Sequence, residues 1–212
     1  MSSQSGSANA IPADFIDLDA YPLDGRDPCG YVEAVRSARV QLAVDGCCVL
    51  PGFIKASALP ALVEEADAVA GHVHRSFDRT NAYFSEDDPG LSAQDPRRRF
   101  YDRSNAFVPA DHFGPVSGLR AIYEYAPFQK FIRAALGAAD FYRYADPLAD
   151  VIINVVEEGT GFPWHFDTNN FTVTLAIQNG EAGGVFEYAP GLRSAEDECF
   201  DAVPDLLDGR SD

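Results

Sequence analysis

Residues 171–178, FTVTLAIQ, alternate strictly: Phe171, Val173, Leu175 and Ile177 fall on one side of an extended chain, and Thr172, Thr174, Ala176 and Gln178 on the other. A period of two suits a strand and not a helix, so this segment calls for a sheet with one apolar side. It has company. FYRY at 141–144, DVIINVVEE at 150–158, WHFD at 164–167 and GVFEY at 184–188 are further short β-type runs, separated by GTGFP, TNN and NGEAGG. Short strands with even turn punctuation predict an antiparallel sheet or barrel, and the polar side of 171–178 is then available to line a cavity.

Upstream the pattern is helical. Asp27 followed by Pro28 reads as an N-cap with proline in the first turn, and the helix it opens runs to the stop at Asp45-Gly46. CCVL at 47–50 is a short strand-type run before Pro51-Gly52. Ser57 is then placed to cap ALPALVEEADAVA, in which Leu59, Leu62, Val63, Ala66 and Val69 share a face and Gly71 ends the pattern. Ser117 opens a further helix carrying Leu119, Ile122 and Tyr123, interrupted at Pro127 and resumed to Gly137. Between Phe77 and Gly114 no period is sustained. So long an irregular segment, rich in aromatics, is expected to be ordered over a binding site.

A chain of 212 residues that is 46% hydrophobic and 12% aromatic can fill one substantial core. Its formal charge of −17, from 33 acidic against 16 basic residues, repels nucleic-acid phosphates and anionic membrane surfaces, so neither is an expected partner. No stretch approaches the roughly 18 apolar residues of a membrane span. MSSQSGSANA lacks the basic and apolar regions of a signal peptide, and residues 1–12 are read as a disordered tail on a cytoplasmic protein. Cys29, Cys47, Cys48 and Cys199 have no metal-ribbon spacing and are expected to be reduced thiols.

The chemistry concentrates at His165 and Asp167. On a strand, positions i and i+2 share a face about 6–7 Å apart, so imidazole and carboxylate can converge on one cation. A bare His-x-Asp is weak in a chain this acidic; the flanking pattern strengthens it. Two histidines and one carboxylate on one face of an octahedral Fe(II) leave positions for a chelating cosubstrate and dioxygen, and His-x-Asp is the local part of that set.

The succession DVIINVVEEGTGFPWHFD, FTVTLAIQ and GGVFEYAP resembles the Fe(II)/2-oxoglutarate-dependent dioxygenases, closest to the branch of amino-acid hydroxylases and halogenases. DGCCVLPGFI followed by a capped helix is similar to the entry segment of such enzymes. The resemblance covers residues 28–210, most firmly 150–195. It implies an α+β fold over 13–212, with N-terminal helices packed on a double-stranded β-helix of jelly-roll, cupin-like type. It also implies Fe(II) as cofactor, 2-oxoglutarate as cosubstrate, and hydroxylation of an unactivated C–H in a small molecule, an amino acid or its derivative. Halogenases of this kind replace the metal carboxylate with a small residue; Asp167 is retained here, which implies hydroxylation.

In the family, a later strand carries the third ligand, a histidine, and then an arginine for the distal carboxylate of 2-oxoglutarate. No histidine follows His165, and Arg193 and Arg210 are the only arginines downstream, neither in a strand-like context. RSAEDECFDAVPDLLDG resembles the loop before the last strands. The expectation is a C-terminally shortened oxygenase with an incomplete barrel, poorly active or marginally folded unless a partner chain completes it.

Asn154 has two readings, a hydrogen bond to the 2-oxoglutarate carboxylate or satisfaction of a sheet edge. Trp164 either shapes the pocket wall, as a substrate-binding residue, or packs in the core. Of Arg97, Arg98, Arg99 and Arg103, one is expected to pair with a substrate carboxylate, and Arg103 comes first because RSNAF is flanked by apolar residues. His72, His74 and Glu157-Glu158 read as solvated, and His112 as packing beside Phe113. The alternatives to an oxygenase are a truncated remnant that acts as a binding or scaffold protein, and a cupin-type metal protein, which would want further histidines near His165. G-x-S-x-G and P-loop motifs are absent.

Overall fold

The computed structural model describes residues 10–114, 116–194 and 196–210. In chain order its elements are α1 (Pro12–Phe15), α2 (Pro28–Asp45), α3 (Leu59–Val69), β1 (His74–Thr80), β2 (Tyr101–Val108), α4 (Gly118–Glu124), α5 (Ala126–Leu136), β3 (Ile153–Asn154) and α6 (Val203–Leu207). They group into two compact units. The first comprises the chain up to Val73 together with Val108–Ile153, and the second comprises His74–Phe107 and the chain from Asn154 onward. The tail expected over 1–12 lies outside the described residues as far as residue 9, and from Pro12 the chain is helical. No helix among the described residues is long and apolar enough to cross a membrane.

The first unit is a helical layer whose ends follow local chemistry. The Asp27 carboxylate accepts from the Gly30 amide at 3.0 Å and opens α2, while Gly46 closes it at φ 66°, a left-handed conformation in which a Cβ would be crowded. Gly137 ends α5 in the same way at φ 64°. The start of α3 differs from the sequence reading: Ala58 is the N-cap and no side chain caps it, so Ser57 is not used. CCVL forms no strand. The extended stretch just after it does pair: Asp17 donates to the Phe53 carbonyl at 2.9 Å and Lys55 to that of Phe15 at 2.8 Å, bringing buried Ile16 and Ile54 face to face.

Helix α2 packs on α5, with the Tyr31 and Phe131 rings 6.4 Å apart and the Arg39 guanidinium donating to the Ala134 carbonyl at 2.7 Å. Phe53 sits between Tyr21 and Phe128, with ring centroids 5.4 and 4.8 Å away. Ile16, Leu62, Leu119, Ile122 and Phe131 are buried, each stabilising the unit by about 1.5–3 kcal/mol through area removed from water. Glu65 of α3 reaches the start of α4: its carboxylate accepts from the Gly118 amide at 2.8 Å and from the Ser117 hydroxyl, whose own oxygen accepts from the Arg120 amide at 3.0 Å. Two oxygens thereby satisfy amides that a helix start leaves unpaired.

The second unit is organised by a strand pair in the segment that showed no period. β1 and β2 are antiparallel in register from His74 opposite Phe107 to Thr80 opposite Tyr101, and β3 follows β2 in the sheet, with the Val155 amide donating to the Ala106 carbonyl at 2.8 Å. HRSFDRT and YDRSNAFV are polar on both faces, so no hydrophobic alternation announces them. Alternation places Asp78, Ser76, Tyr101, Arg103 and Asn105 on one face of the ribbon, and Arg75, Phe77, Ser104 and Ala106 on the other.

This unit buries little apolar surface. Asn81, Ala82, Pro96 and Val203 are its buried residues among those described. Residues 161–189 carry neither helix nor strand, FYRY forms no strand, and of DVIINVVEE only Ile153–Asn154 is in one. A strand exists through its ladder. FTVTLAIQ and GVFEY have the right alternation but meet no partner strand among the described residues, and Val185 and Phe186 stand 80% and 73% exposed. The sheet is open, and the double-stranded β-helix implied by the resemblance is not displayed in it. The four cysteines are free thiols, as expected.

Candidate functional site

The site is built on a turn that the sequence reading passed over. Asn81, fully buried after β1, donates from its amide to the Ser85 carbonyl at 2.9 Å and the Arg97 carbonyl at 2.6 Å, and accepts from the Tyr83 and Ser85 amides at 3.0 and 3.2 Å. One side chain satisfies both directions of a tight loop, as asparagine does in turns. The loop forces Phe84 to φ 55°, a conformation costing an L-residue roughly 1–2 kcal/mol, and the ring is thereby directed at His165, 5.5 Å between centroids. Next along the loop, the Ala82 carbonyl accepts from the Phe166 amide at 2.9 Å. The His-x-Asp segment is thus held by its central residue.

His165 and Asp167 come together. His165 Nε2 lies 3.3 Å from Asp167 Oδ1. On the far side of the imidazole, Nδ1 is 2.7 Å from the Pro163 carbonyl. A carbonyl only accepts, so Nδ1 is the donor in that bond, and Nε2 is the ring atom that faces the carboxylate. The other carboxylate oxygen, Asp167 Oδ2, accepts from the Thr172 hydroxyl at 2.5 Å. Thr172 was not singled out from the sequence, and the strand whose polar side was to carry it is not formed. The main chain on either side is fixed as well: the Tyr101 hydroxyl donates to the Trp164 carbonyl, and Arg193 Nη2 donates to the Asp167 carbonyl at 3.0 Å.

Two ligand atoms about 2.1 Å from one ion and at right angles to each other are about 3 Å apart. The 3.3 Å separation therefore fits two adjacent positions of an octahedral shell, and both donors have the outer hydrogen bonds that metal ligands carry. The described residues include no group of three or more His, Cys, Asp or Glu able to hold a metal. The fit is for two positions and not for three.

Of the four arginines weighed as carboxylate partners, three are neutralised. Arg97 pairs with Asp95 at 2.7 Å, Arg98 with Asp87 at 2.8 Å and Arg99 with Asp208 at 2.5 Å. Asp95 and Asp208 are consequently held below the usual carboxylate range, in each case chiefly by the hydrogen bond from the guanidinium. Arg103 has no acidic partner among the described residues. Its guanidinium carbon is 5.0 Å from the Phe84 ring centroid and its Nε is buried without a hydrogen bond. Asp78, directly opposite in register, makes no ion pair with it. Two residues along the same face, Asn105 Oδ1 is likewise buried and unpaired.

No family model and no curated protein matches the sequence, and no solved structure matches the fold.

The remaining candidates fall elsewhere. Asn154 is exposed in β3 and does not share in the contacts of His165 or Asp167. Trp164 is half-buried and meets the site through its backbone. Glu157 is taken by Arg75. His74 packs on Phe107 at 5.4 Å. His112, expected beside Phe113, instead stacks on His72 with ring centroids 4.2 Å apart; parallel imidazoles at that distance do not converge their lone pairs on one ion. Arg193 is the residue that sequence reasoning discounted. It sits outside any strand, yet it contacts Asp167 directly, and its guanidinium lies 4.4 Å from the Phe166 ring centroid.

Proposed function

We propose that this chain carries part of the active site of an Fe(II)- and 2-oxoglutarate-dependent oxygenase, a cytoplasmic enzyme that hydroxylates an unactivated C–H of a small molecule, an amino acid or its derivative. The observation that carries the reading is the oriented pair, His165 Nε2 and Asp167 Oδ1 at 3.3 Å, each with its own hydrogen-bonded support. The resemblance over residues 150–195 gives that pair its chemical meaning. Iron, when bound, supplies the redox chemistry by which dioxygen and 2-oxoglutarate are consumed. His165 and Asp167 would hold it. Pro163 orients the imidazole through Nδ1, so that Nε2 is the ring atom turned toward Asp167, and Thr172 aims the carboxylate. Arg103 receives the substrate carboxylate: a buried, unpaired guanidinium nitrogen is costly unless a ligand meets it, and Phe84 places that cation one ring away from His165.

A second reading has its own support, because the described residues bring only two protein donors together. A chain with half a metal site and a sparsely buried second unit suits a binding or scaffold protein.

Anaerobic titration with Fe(II) and 2-oxoglutarate, followed by the visible charge-transfer band, separates the two. The oxygenase reading expects a weak band that disappears in both His165→Ala and Asp167→Ala. A band that survives His165→Ala, or no metal binding by the wild-type chain, rules it out.

A further inference from the structure

Resting on the metal reading of His165 and Asp167, we infer that Arg193 is a positioning residue for the Asp167 ligand, acting through the main chain and not through the metal. Asp167 is exposed and lies in a segment without secondary structure, so nothing regular fixes its backbone. Among the described residues, three bonds from outside 161–189 hold the main chain of 164–167: Tyr101 on the Trp164 carbonyl, Ala82 on the Phe166 amide, and Arg193 Nη2 on the Asp167 carbonyl at 3.0 Å. Of these, only the last reaches the main chain of Asp167, whose carboxylate is held by Thr172.

The same guanidinium covers the Phe166 ring at 4.4 Å, a cation–aromatic contact that fixes the neighbour of Asp167 as well. Arg193 is itself held by Glu198, with Nη1 and Oε2 3.3 Å apart, a long and half-exposed ion pair that contributes little by itself. The planar fork of arginine satisfies all three at once: one nitrogen to a carbonyl, another to a carboxylate, and a face to a ring. Lysine offers a single charged point and keeps only one of them.

Co(II) serves as the probe, because its visible spectrum reports ligand geometry without turnover. Wild-type chain, Arg193→Gln, Arg193→Lys, Glu198→Gln and His165→Ala are each titrated. Loss of a support of this kind typically weakens metal binding 10- to 100-fold. The expected result is a loss of about that size in Arg193→Gln with an altered Co(II) spectrum, partial recovery in Arg193→Lys, and little change in Glu198→Gln, which keeps the bond to Asp167. Equal affinity and spectrum in Arg193→Gln and wild type would overturn the inference. So would an equal loss in Glu198→Gln, since the ion pair and not the carbonyl contact would then matter. Failure of the wild-type chain to bind Co(II), or binding unaffected by His165→Ala, sinks the metal reading itself, a result distinct from the other two.

Discussion

Single side chains decide the second unit, since it has little apolar burial to rely on. Asn81 ties the loop that aims Phe84, and Tyr83 beside it joins the Phe166 and Phe200 rings at 4.9 and 5.0 Å while its hydroxyl donates to the Glu198 carbonyl at 2.8 Å. Burial, and next the charge of Glu198, push the Tyr83 phenol up to about 12. An acid whose value rises on folding keeps its proton longer in the folded state. Between about 10, the ordinary tyrosine value, and about 12 the unfolded chain binds fewer protons, so stability falls as pH rises through that window. Below it the contribution is fully present. NMR of the Tyr83 ring should follow this late titration, and Tyr83→Phe should flatten part of the loss of urea resistance in the same range. A Tyr83 ring that titrates near 10 in the folded chain contradicts the packing described.

At the scale of elements, α1, α3 and α4 meet at a point where only glycine fits. A Cβ on Gly118 would stand 2.6 Å from the Phe15 ring and 2.9 Å from a Leu62 methyl, and Leu62 is fully buried. Gly118→Ala should therefore cost about 1–3 kcal/mol in urea unfolding, the usual range for overpacking a core. An unchanged midpoint would mean that Phe15 is free to swing aside. The β1–β2 ribbon makes a different point. Its register sets Arg103 beside Asn105 on one face and opposite Asp78, so the loose ends of the ribbon, a buried donor and a buried acceptor, are a product of pairing and of no local motif.

Over the whole molecule, charge and apolar exposure pull apart. A chain at −17 resists association, yet Val156, Val173, Val185, Phe186 and Tyr188 are each about half exposed or more in the second unit. Such a surface should bind a hydrophobic reporter dye, and Val185→Ser with Phe186→Ser should reduce the signal by about half or more. Dye binding that ignores both substitutions would place the accessible apolar surface elsewhere.

What the sequence determined is what neighbours in the chain can determine. Asp27, Gly46, Ser117 and Gly137 mark helix ends because caps and left-handed stops act within one turn. His165 and Asp167 were legible as a pair because a single residue separates them, close enough for their side chains to meet without a strand; Thr172 was not, since 171–178 forms no strand and no local signal points it at Asp167. FTVTLAIQ told which side would be apolar, but a strand needs a partner, and alternation carries no information on whether one is present. Only the tertiary structure decided the rest. Glu65 caps a helix that starts more than fifty residues later, Asn81 answers to Arg97, and Arg193 reaches back to Asp167. These bonds join residues whose spacing has no period, and their existence depends on how the chain returns, which local preference does not encode.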